Sequence, residues 1–243
     1  MKYAAAILGL IGLSTAVALP ADDPERILPP NWTFEIEHLK GPGCPDQGNE
    51  GSDGRITRPT YGSNTVDGSE IYYWFIAYPW MRVDLAEGPS HTWCEATIKY
   101  TEYKDTEKTE EGEDYRLRLH KNGTRGIMTY DLDAGCRCTG TLPTRLPTTK
   151  MYIVDTITLT GPLQSPQQHS KEHSSDVSYP PELIPQPECG SGTFSFHTEL
   201  WVKGGEGQTG IVASETVYSK DTVGVQYYGT QQGFSYDWEK CAS

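Results

Sequence analysis

One segment of the sequence carries the histidine and glutamate spacing of a zinc-protease helix. His169, Glu172 and His173 match the inverted H-x-x-E-H pattern, in which two imidazoles bind the metal and the glutamate activates its water. That chemistry needs a helix, because only helical spacing places both histidines on one face. Residues 164–188 are instead rich in proline, serine and glutamine and show no apolar periodicity. We interpret the motif as part of a polar loop and predict no metal site and no cofactor.

A second stretch with residues that could bind a metal or take part in redox chemistry lies around residue 135. Cys136 and Cys138 have the spacing of a redox pair or of half a zinc site, but no second closely spaced pair supplies the other ligands. We therefore prefer a disulfide. Residues 131–135 resemble the start of a calcium loop, but no carboxylate follows at the expected offset, so we assign no calcium.

Other enzymatic signatures are weak in this chain. The sequence contains no G-x-S-x-G elbow and no P-loop, although a triad can assemble from distant residues. Its 33 acidic residues are too many to single out a pair for glycoside hydrolysis. Aromatic rings offer another chemistry, because the apolar face of a pyranose stacks on them. The candidate sugar-stacking residues are Trp74, Tyr78, Trp80 and Trp201. The alternative is that these rings pack the core or cover sheet edges.

The overall composition excludes some classes of partner. The chain has 243 residues, with 20 Lys and Arg against 33 Asp and Glu, for a formal charge of −13. No basic cluster is present, which argues against nucleic acid and against an anionic membrane surface. The 25 Gly and 17 Pro suit short strands and turns better than long helices.

The N-terminus has the pattern of a signal peptide. Lys2 supplies positive charge, residues 4–13 are apolar, and the small-x-small cleavage site is Ala16-Val17-Ala18. The apolar run is shorter than the about 20 residues that span a bilayer. We expect cleavage after Ala18 and a secreted, extracellular protein. The expected organisation is a signal peptide at residues 1–18, an extended segment at 19–31 and one domain at 32–241.

Secretion gives the cysteines and two asparagine motifs a specific meaning. An even number of cysteines in a secreted chain indicates three disulfides, formed among Cys44, Cys94, Cys136, Cys138, Cys189 and Cys241. The sequons at Asn31 and Asn122 predict N-glycosylation. Asn122 is the better candidate, because it lies at the tip of a predicted hairpin.

Alternating and apolar runs separated by turn residues predict an all-β fold. Residues 71–80 are continuously apolar and aromatic, which is typical of a central strand buried on both faces. Residues 115–119 and 127–132 flank Asn122-Gly123, a pair that favours a type I′ hairpin turn. At least eight such runs occur, so the sequence predicts a single antiparallel β-sandwich, jelly-roll-like and stabilised by disulfides.

Several short motifs, taken in order, resemble a known family. They are Gly43-Cys44-Pro45, Trp93-Cys94, residues 132–135, Thr160-Gly161-Pro162, Cys189-Gly190 and Trp238-x-x-Cys241. Together they resemble the fungal family of small secreted proteins that carry a domain of unknown function with four recurrent cysteines. The resemblance covers residues 32–241. It implies secretion and a β-rich domain, and it offers no established activity and no catalytic residues to transfer.

The resemblance also organises the cysteines. The four family cysteines are then Cys44, Cys94, Cys189 and Cys241. If the strands near residues 194–202 and 234–238 pair antiparallel, Cys189 and Cys241 come within bridging distance, which leaves Cys44 with Cys94. Cys136 and Cys138 would then form a small local bridge. The competing map joins each of these two to a distant partner.

The sequence indicates where the protein goes better than what it does. No catalytic constellation is recognisable, so we expect a non-catalytic protein of the fungal cell surface or medium. One alternative is a carbohydrate-binding module for cell-wall polysaccharide, and another is a polysaccharide-active enzyme. A groove holding two carboxylates about 5–10 Å apart would favour the enzyme, and a groove lined by aromatic rings would favour binding.

Overall fold

The protein is built from β-strands. A computed structural model describes residues 28–49, 54–60, 72–145, 152–164, 171–174, 184–185, 188–212, 217–220, 224–227 and 229–241. The predicted signal peptide lies outside these ranges. Within them, no helix is long and apolar enough to cross a membrane. In chain order the strands are β1 (Asn31–Lys40), β2 (Arg58–Thr60), β3 (Tyr72–Tyr78), β4 (Val83–Asp84), β5 (His91–Tyr103), β6 (Tyr115–Met128), β7 (Tyr130–Leu132), β8 (Arg137–Arg145), β9 (Tyr152–Thr160), β10 (Leu163–Gln164), β11 (Lys171–Ser174), β12 (Ile184–Pro185), β13 (Gly192–Lys203), β14 (Gly210–Val212), β15 (Val217–Lys220), β16 (Gly224–Tyr227) and β17 (Thr230–Lys240).

Two large antiparallel sheets form a sandwich, which confirms the predicted fold class. The five-stranded sheet has the order β1-β5-β13-β8-β9. The six-stranded sheet has the order β11-β6-β17-β3-β2, with β12 also paired to β6. A four-stranded sheet, β10-β7-β14-β4, and the pair β15-β16 complete the described strands.

Phe234 of β17 lies at the centre of the core between the two large sheets. Its ring centroid is 5.6 Å from that of Phe34 in β1, and 5.1 Å and 5.4 Å from those of Phe194 and Phe196 in β13. These three partners belong to the opposite sheet, and their edge-to-face contacts join the two layers. Alternate residues of β13 are buried, so the remaining ones form the outer face of the five-stranded sheet.

The apolar run at residues 71–80 forms a central strand, as predicted. β3 lies between β17 and β2, and its side chains from Tyr73 to Tyr78 are buried. On the core side, Trp74 lies 5.5 Å from Phe234, centroid to centroid. On the other side, the Arg125 guanidinium lies 4.3 Å from the centre of the Tyr73 ring. Both faces of the strand are therefore covered.

The predicted hairpin at Asn122-Gly123 is wrong. Residues 115–128 form the single strand β6, and both of its halves pair antiparallel with β17. Leu119 pairs with Tyr236 and Thr124 pairs with Phe234, so residues 120–123 bulge opposite Ser235 alone. Gly123 does take a positive φ of 68°, and its carbonyl accepts a 2.7 Å hydrogen bond from the Ser235 hydroxyl. Gly123, in its left-handed conformation, therefore forms part of a β-bulge and does not reverse the chain.

Two of the predicted disulfides are present. Cys44–Cys94 and Cys189–Cys241 have Cα–Cα distances of 5.6 Å and 6.4 Å. The strand pairing from which we expected the second bridge does not occur, because β13 and β17 lie in opposite sheets. The start of β6 brings these cysteines together instead. The Gly190 amide donates to the Tyr115 carbonyl at 2.7 Å, and the Cys241 amide donates to the Asp114 carbonyl at 2.8 Å.

The predicted bridge between Cys136 and Cys138 is wrong. Both residues are free and buried, and neither has a distant disulfide partner. Extended backbone separates alternate Cα atoms by about 6.5–7 Å, which is at the upper limit of disulfide geometry. The Cys136 thiol instead lies 3.2 Å from the Thr209 carbonyl oxygen. Burial raises the pKa of the Cys138 thiol to about 12.

Candidate functional site

Two of the four candidate sugar-stacking residues belong to the core. Trp74 is 6% exposed, and its ring centroid lies 5.6 Å from that of Phe34 in the opposite sheet. Tyr78 is fully buried, and its hydroxyl accepts a 3.3 Å hydrogen bond from Thr198. Burial also raises the pKa of Tyr78. Neither ring presents a face to solvent, so neither can stack on a sugar in this structure.

Trp80 is partly exposed in the turn that follows β3. The Arg55 guanidinium lies 5.0 Å from the centre of its ring, as in a cation–π contact. Arg55 therefore occupies one face of this indole.

Trp201 is the candidate that stands on the outer face of the five-stranded sheet. It pairs across the strands with His91 of β5, and the two rings stack with centroids 3.8 Å apart and planes 19° apart. A second stack joins Trp93 of β5 and His197 of β13, with centroids 5.2 Å apart and planes 17° apart. Both stacks arise because alternate residues of adjacent strands share one face.

The carboxylate of Glu199 lies between the two stacks. Its Oε1 atom is 2.9 Å from Nε2 of His197, and its Oε2 atom accepts a 3.2 Å hydrogen bond from the indole N–H of Trp201. Partial burial alone would raise the pKa of Glu199, but the hydrogen bonds from Trp201 and His197 outweigh it and hold this pKa below its ordinary value. We call His91, Trp93, His197, Glu199 and Trp201 the tryptophan–histidine face.

A groove of about 280 Å³ borders this face. Its described lining consists of Arg137, Thr139, Trp201 and Lys203. His91 covers Trp201 from the β5 side, and Thr139 lies opposite Trp201 on β8, which is the other neighbour of β13. Trp201 therefore lies between His91 and the groove, and the Lys203 ammonium is 5.8 Å from the centre of its ring. The described lining residues include no carboxylate.

A small cavity and a shallow groove elsewhere in the protein are less suited to binding a sugar. A cavity between the large sheets, bordered by Met81, Ile157 and Gln232, has a volume of about 10 Å³, which is room for one water molecule rather than a sugar. A shallow groove of about 360 Å³ includes Asp131 and Asp133, the residues that resemble a calcium loop. Asp133 already accepts hydrogen bonds from the amide and hydroxyl of Thr209, at 2.6 Å and 3.0 Å, and these bonds lower its pKa.

The histidine-rich motif does not form a helix. Residues 171–174, which include Glu172 and His173, form β11 and pair with β6, and His169 lies outside the described residues. A strand does not place these side chains on one helical face. In the part of the chain that the structure describes, no group of three or more His, Cys, Asp or Glu residues is arranged to hold a metal ion.

Both predicted glycosylation sites lie on strands. The Asn31 amide at the start of β1 donates a 2.9 Å hydrogen bond to the Thr106 carbonyl at the surface. Asn122 lies in the bulge of β6, and its side chain is outside the described part. Glycosylation of either residue stays a prediction.

Sequence reasoning identified Trp201 but missed its neighbours. His91, Trp93, His197 and Glu199 alternate with buried residues in β5 and β13, which marks them as outward-facing. A search for aromatic and imidazole side chains at alternate positions of two strands would have selected them. Their pairing across the strands depends on register, which the sequence does not reveal.

Comparison with known proteins gives no family. No protein-family model matches the sequence, and no curated protein matches it significantly. Among solved structures, TmCBM61 in complex with beta-1,4-galactotriose is 9% identical, with 86% of this chain and 88% of that chain covered and a TM-score of 0.20. A structure of carbohydrate-binding modules from the beta-sandwich superfamily is 8% identical, with 87% and 58% covered and a TM-score of 0.22. Similarity at this level says nothing about the ligand of this protein.

Proposed function

We propose that this protein is a secreted, non-catalytic protein that binds extracellular carbohydrate through Trp201 and the adjoining groove. The supporting observation is the position of Trp201. His91 stacks on one ring face, the Glu199 carboxylate accepts a hydrogen bond from the indole N–H, and Trp201 lines the groove. A pyranose can stack its apolar face on such an indole while its hydroxyls bond to neighbouring polar side chains.

Rigid support of the indole favours binding. A side chain that is already ordered in the free protein loses little conformational entropy when a ligand arrives. The stack with His91 and the hydrogen bond to Glu199 both restrict the side chain of Trp201. Thr139 and the two cations of the groove supply hydrogen-bonding groups beside the ring.

The chemistry of the groove favours binding over hydrolysis. Glycoside hydrolysis in most families uses a pair of carboxylates that flank the bond to be cut. The described lining of the groove has one aromatic ring, one hydroxyl and two cations. Glu199 uses both of its carboxylate oxygens to hold His197 and Trp201. Its role in this geometry is to position the aromatic face.

An extracellular location fits the covalent structure. Two disulfides, Cys44–Cys94 and Cys189–Cys241, are present in the described chain, and such bonds persist mainly in oxidising compartments. The signal-peptide pattern at residues 1–18 supports the same location. With the resemblance to small secreted fungal proteins, these features make cell-wall polysaccharide the ligand class to test first.

The purified mature protein should be tested on a glycan array and in pull-downs on chitin, β-glucan, cellulose and pectic polysaccharides. We expect retention on at least one polymer and loss of that retention in Trp201→Ala. Trp80→Ala is the matched control, since it removes a partly exposed indole outside the tryptophan–histidine face.

Both variants should keep the far-ultraviolet circular dichroism of the native protein. Failure of the native protein to bind any polymer would contradict the proposal. Loss of binding in Trp80→Ala with retention in Trp201→Ala would move the site to Trp80 and also contradict it.

A further inference from the structure

Two cations lie directly opposite each other at one end of the groove. Lys203 of β13 and Arg137 of β8 are register partners, and both side chains are exposed. Like charges in this position destabilise a pair of strands. Among the described residues, neither side chain forms an ion pair, and the Lys203 ammonium lies 5.8 Å from the centre of the Trp201 ring.

Several other surface cations form ion pairs with carboxylates, whereas Lys40 and Lys108 are exposed and form none among the described residues. The chain as a whole has a formal charge of −13. Arg82 pairs with Asp84 and Glu87, and Lys104 pairs with Glu110. Acidic partners are therefore abundant, yet the two cations beside Trp201 lie opposite each other in the strand register. Such an arrangement suits a ligand that brings its own negative charge.

We propose that the groove selects acidic polysaccharide, and specifically a polymer of uronic acid. This inference rests on the proposed carbohydrate-binding function and names its ligand class. A uronic acid carries a carboxylate at the edge of its pyranose ring. When the ring stacks on Trp201, side chains next to the indole can reach that carboxylate. Arg137 offers a planar fork that matches a carboxylate, and Lys203 adds a second charge.

A uronate polymer carries one carboxylate on every sugar. The two positive charges of Arg137 and Lys203 can therefore meet the carboxylate of the stacked sugar and that of its neighbour in the chain. Thr139, opposite Trp201 on β8, adds a hydroxyl for the remaining polar groups of the sugar. The groove thus combines an aromatic face, a hydrogen-bonding group and a compact positive site.

The matched probes are polygalacturonic acid and its fully methyl-esterified form, which share a backbone and differ in charge. Affinity electrophoresis or calorimetry should show about tenfold tighter binding of the native protein to the acid form. Arg137→Gln and Lys203→Met should each remove most of this preference, because each should weaken binding to the acid form more than binding to the ester. Added salt should weaken binding to the acid form only.

Lys40→Met is the charge-matched control. Lys40 is exposed on β1, lies opposite Glu95 in the strand register, and belongs to the edge strand of the same sheet. An equal loss of preference in this variant and in Lys203→Met would show a bulk-charge effect and overturn the proposal. Equal or stronger binding of dextran sulfate, lost in the same two groove variants, would show an unselective polyanion site and would also overturn it.

The two proposals can fail separately. If the native protein binds both forms of the polymer equally, or binds only neutral polymers, and Trp201→Ala abolishes that binding, the uronate selection fails and carbohydrate binding stands. If the native protein binds no polymer at all, the proposed function fails and the ligand class fails with it.

Discussion

His91 and Trp201 face each other on β5 and β13, and their stacked rings lie 3.8 Å apart, centroid to centroid. The two residues are distant in sequence, and only the register of the two strands brings them together. The contact fixes the indole at the border of the groove, where a free tryptophan side chain would sample several rotamers. In the proposed site, the histidine would therefore affect a ligand through the ring that it supports.

Replacing His91 should weaken carbohydrate binding without unfolding the protein. Contacts between stacked rings contribute about 0.5–1.5 kcal/mol, so His91→Ala should lower the affinity by about two- to tenfold. His91→Phe keeps an aromatic ring in place and should retain most of the affinity. Calorimetric titration with the best polymer from the array measures both effects. Native affinity in His91→Ala would show that the stack does not support the site.

Glu199 should make stability depend on pH in the acidic range. The pKa of its carboxyl is lowered in the folded protein, so its stabilising contribution is present above the ordinary carboxyl pKa and is lost as pH falls through the lowered value. We expect the difference in unfolding free energy between the native protein and Glu199→Gln to be largest near neutral pH. Urea unfolding at a series of pH values should show the difference shrinking below about pH 4. A difference that grows on acidification would contradict the assignment.

Glu102 should have the opposite pH dependence. This carboxylate is 1% exposed and accepts hydrogen bonds from the Tyr115 and Asp114 amides at 2.9 Å and 3.3 Å. Burial outweighs these bonds and raises its pKa. The folded protein therefore gains stability, relative to Glu102→Gln, as pH falls through this raised pKa toward the ordinary value of about 4.3.

Guanidinium unfolding curves of the native protein and Glu102→Gln from pH 7 to pH 4 measure this effect. Glu110→Gln is a control, because Glu110 is exposed and forms an ion pair with Lys104 in the loop that follows β5. A constant difference between the native protein and Glu102→Gln would show that Glu102 does not titrate in this range.

The two free cysteines should be unreactive in the folded protein. Cys136 and Cys138 are both buried, which shields their thiols from a reagent in solution. Burial also raises the pKa of Cys138 to about 12, so Cys138 forms almost no thiolate at neutral pH. Iodoacetamide should label neither residue under native conditions and both after denaturation. Mass spectrometry of the labelled peptides reads the outcome. A Cys136–Cys138 disulfide in the non-reduced peptide map would refute the assignment.

Removing a disulfide should destabilise the protein more than substituting one of the free cysteines. Each bridge closes a loop of about 50 residues, for which chain entropy predicts about 4 kcal/mol. Paired serine substitutions at Cys44 and Cys94 should therefore lower the melting temperature by many degrees. Cys138→Ala keeps both bridges and removes one buried sulfur atom, so it should lower the melting temperature less. Equal losses would show that the bridge at Cys44 adds little to stability.

The sequence predicts the fold class better than it predicts local connections. Alternation along residues 194–202 and the apolar run at 71–80 each report burial, and both strands form where expected. The Asn122-Gly123 pair failed as a hairpin signal, because a positive φ at glycine serves a bulge as well as a turn. Pairing of β17 with both halves of β6 decided between these outcomes, and local sequence does not encode that pairing.

The candidate site was also predicted only in part from the sequence. Aromatic content suggested sugar stacking, but Trp74 lies on the core face of β3, whereas Trp201 lies on the outer face of β13. In a strand buried on both sides, alternation disappears, so the sequence could not separate a core ring from a surface ring there. The contacts of His91 and Glu199 with Trp201 depend on the register of β5 with β13 and on side-chain geometry. The sequence reveals neither of these.

The position of β17 within its sheet has a consequence for biosynthesis. This strand comes late in the chain, yet it lies between β6 and β3 and supplies Phe234 to the centre of the core. The six-stranded sheet therefore cannot close until residues 230–240 have been synthesised and released. Until then, the apolar side chains of β3 lack their partner strand and remain open to chaperones or aggregation. Closure of the Cys189–Cys241 bridge likewise requires residue 241, so the bridge can form only after β17 has been synthesised.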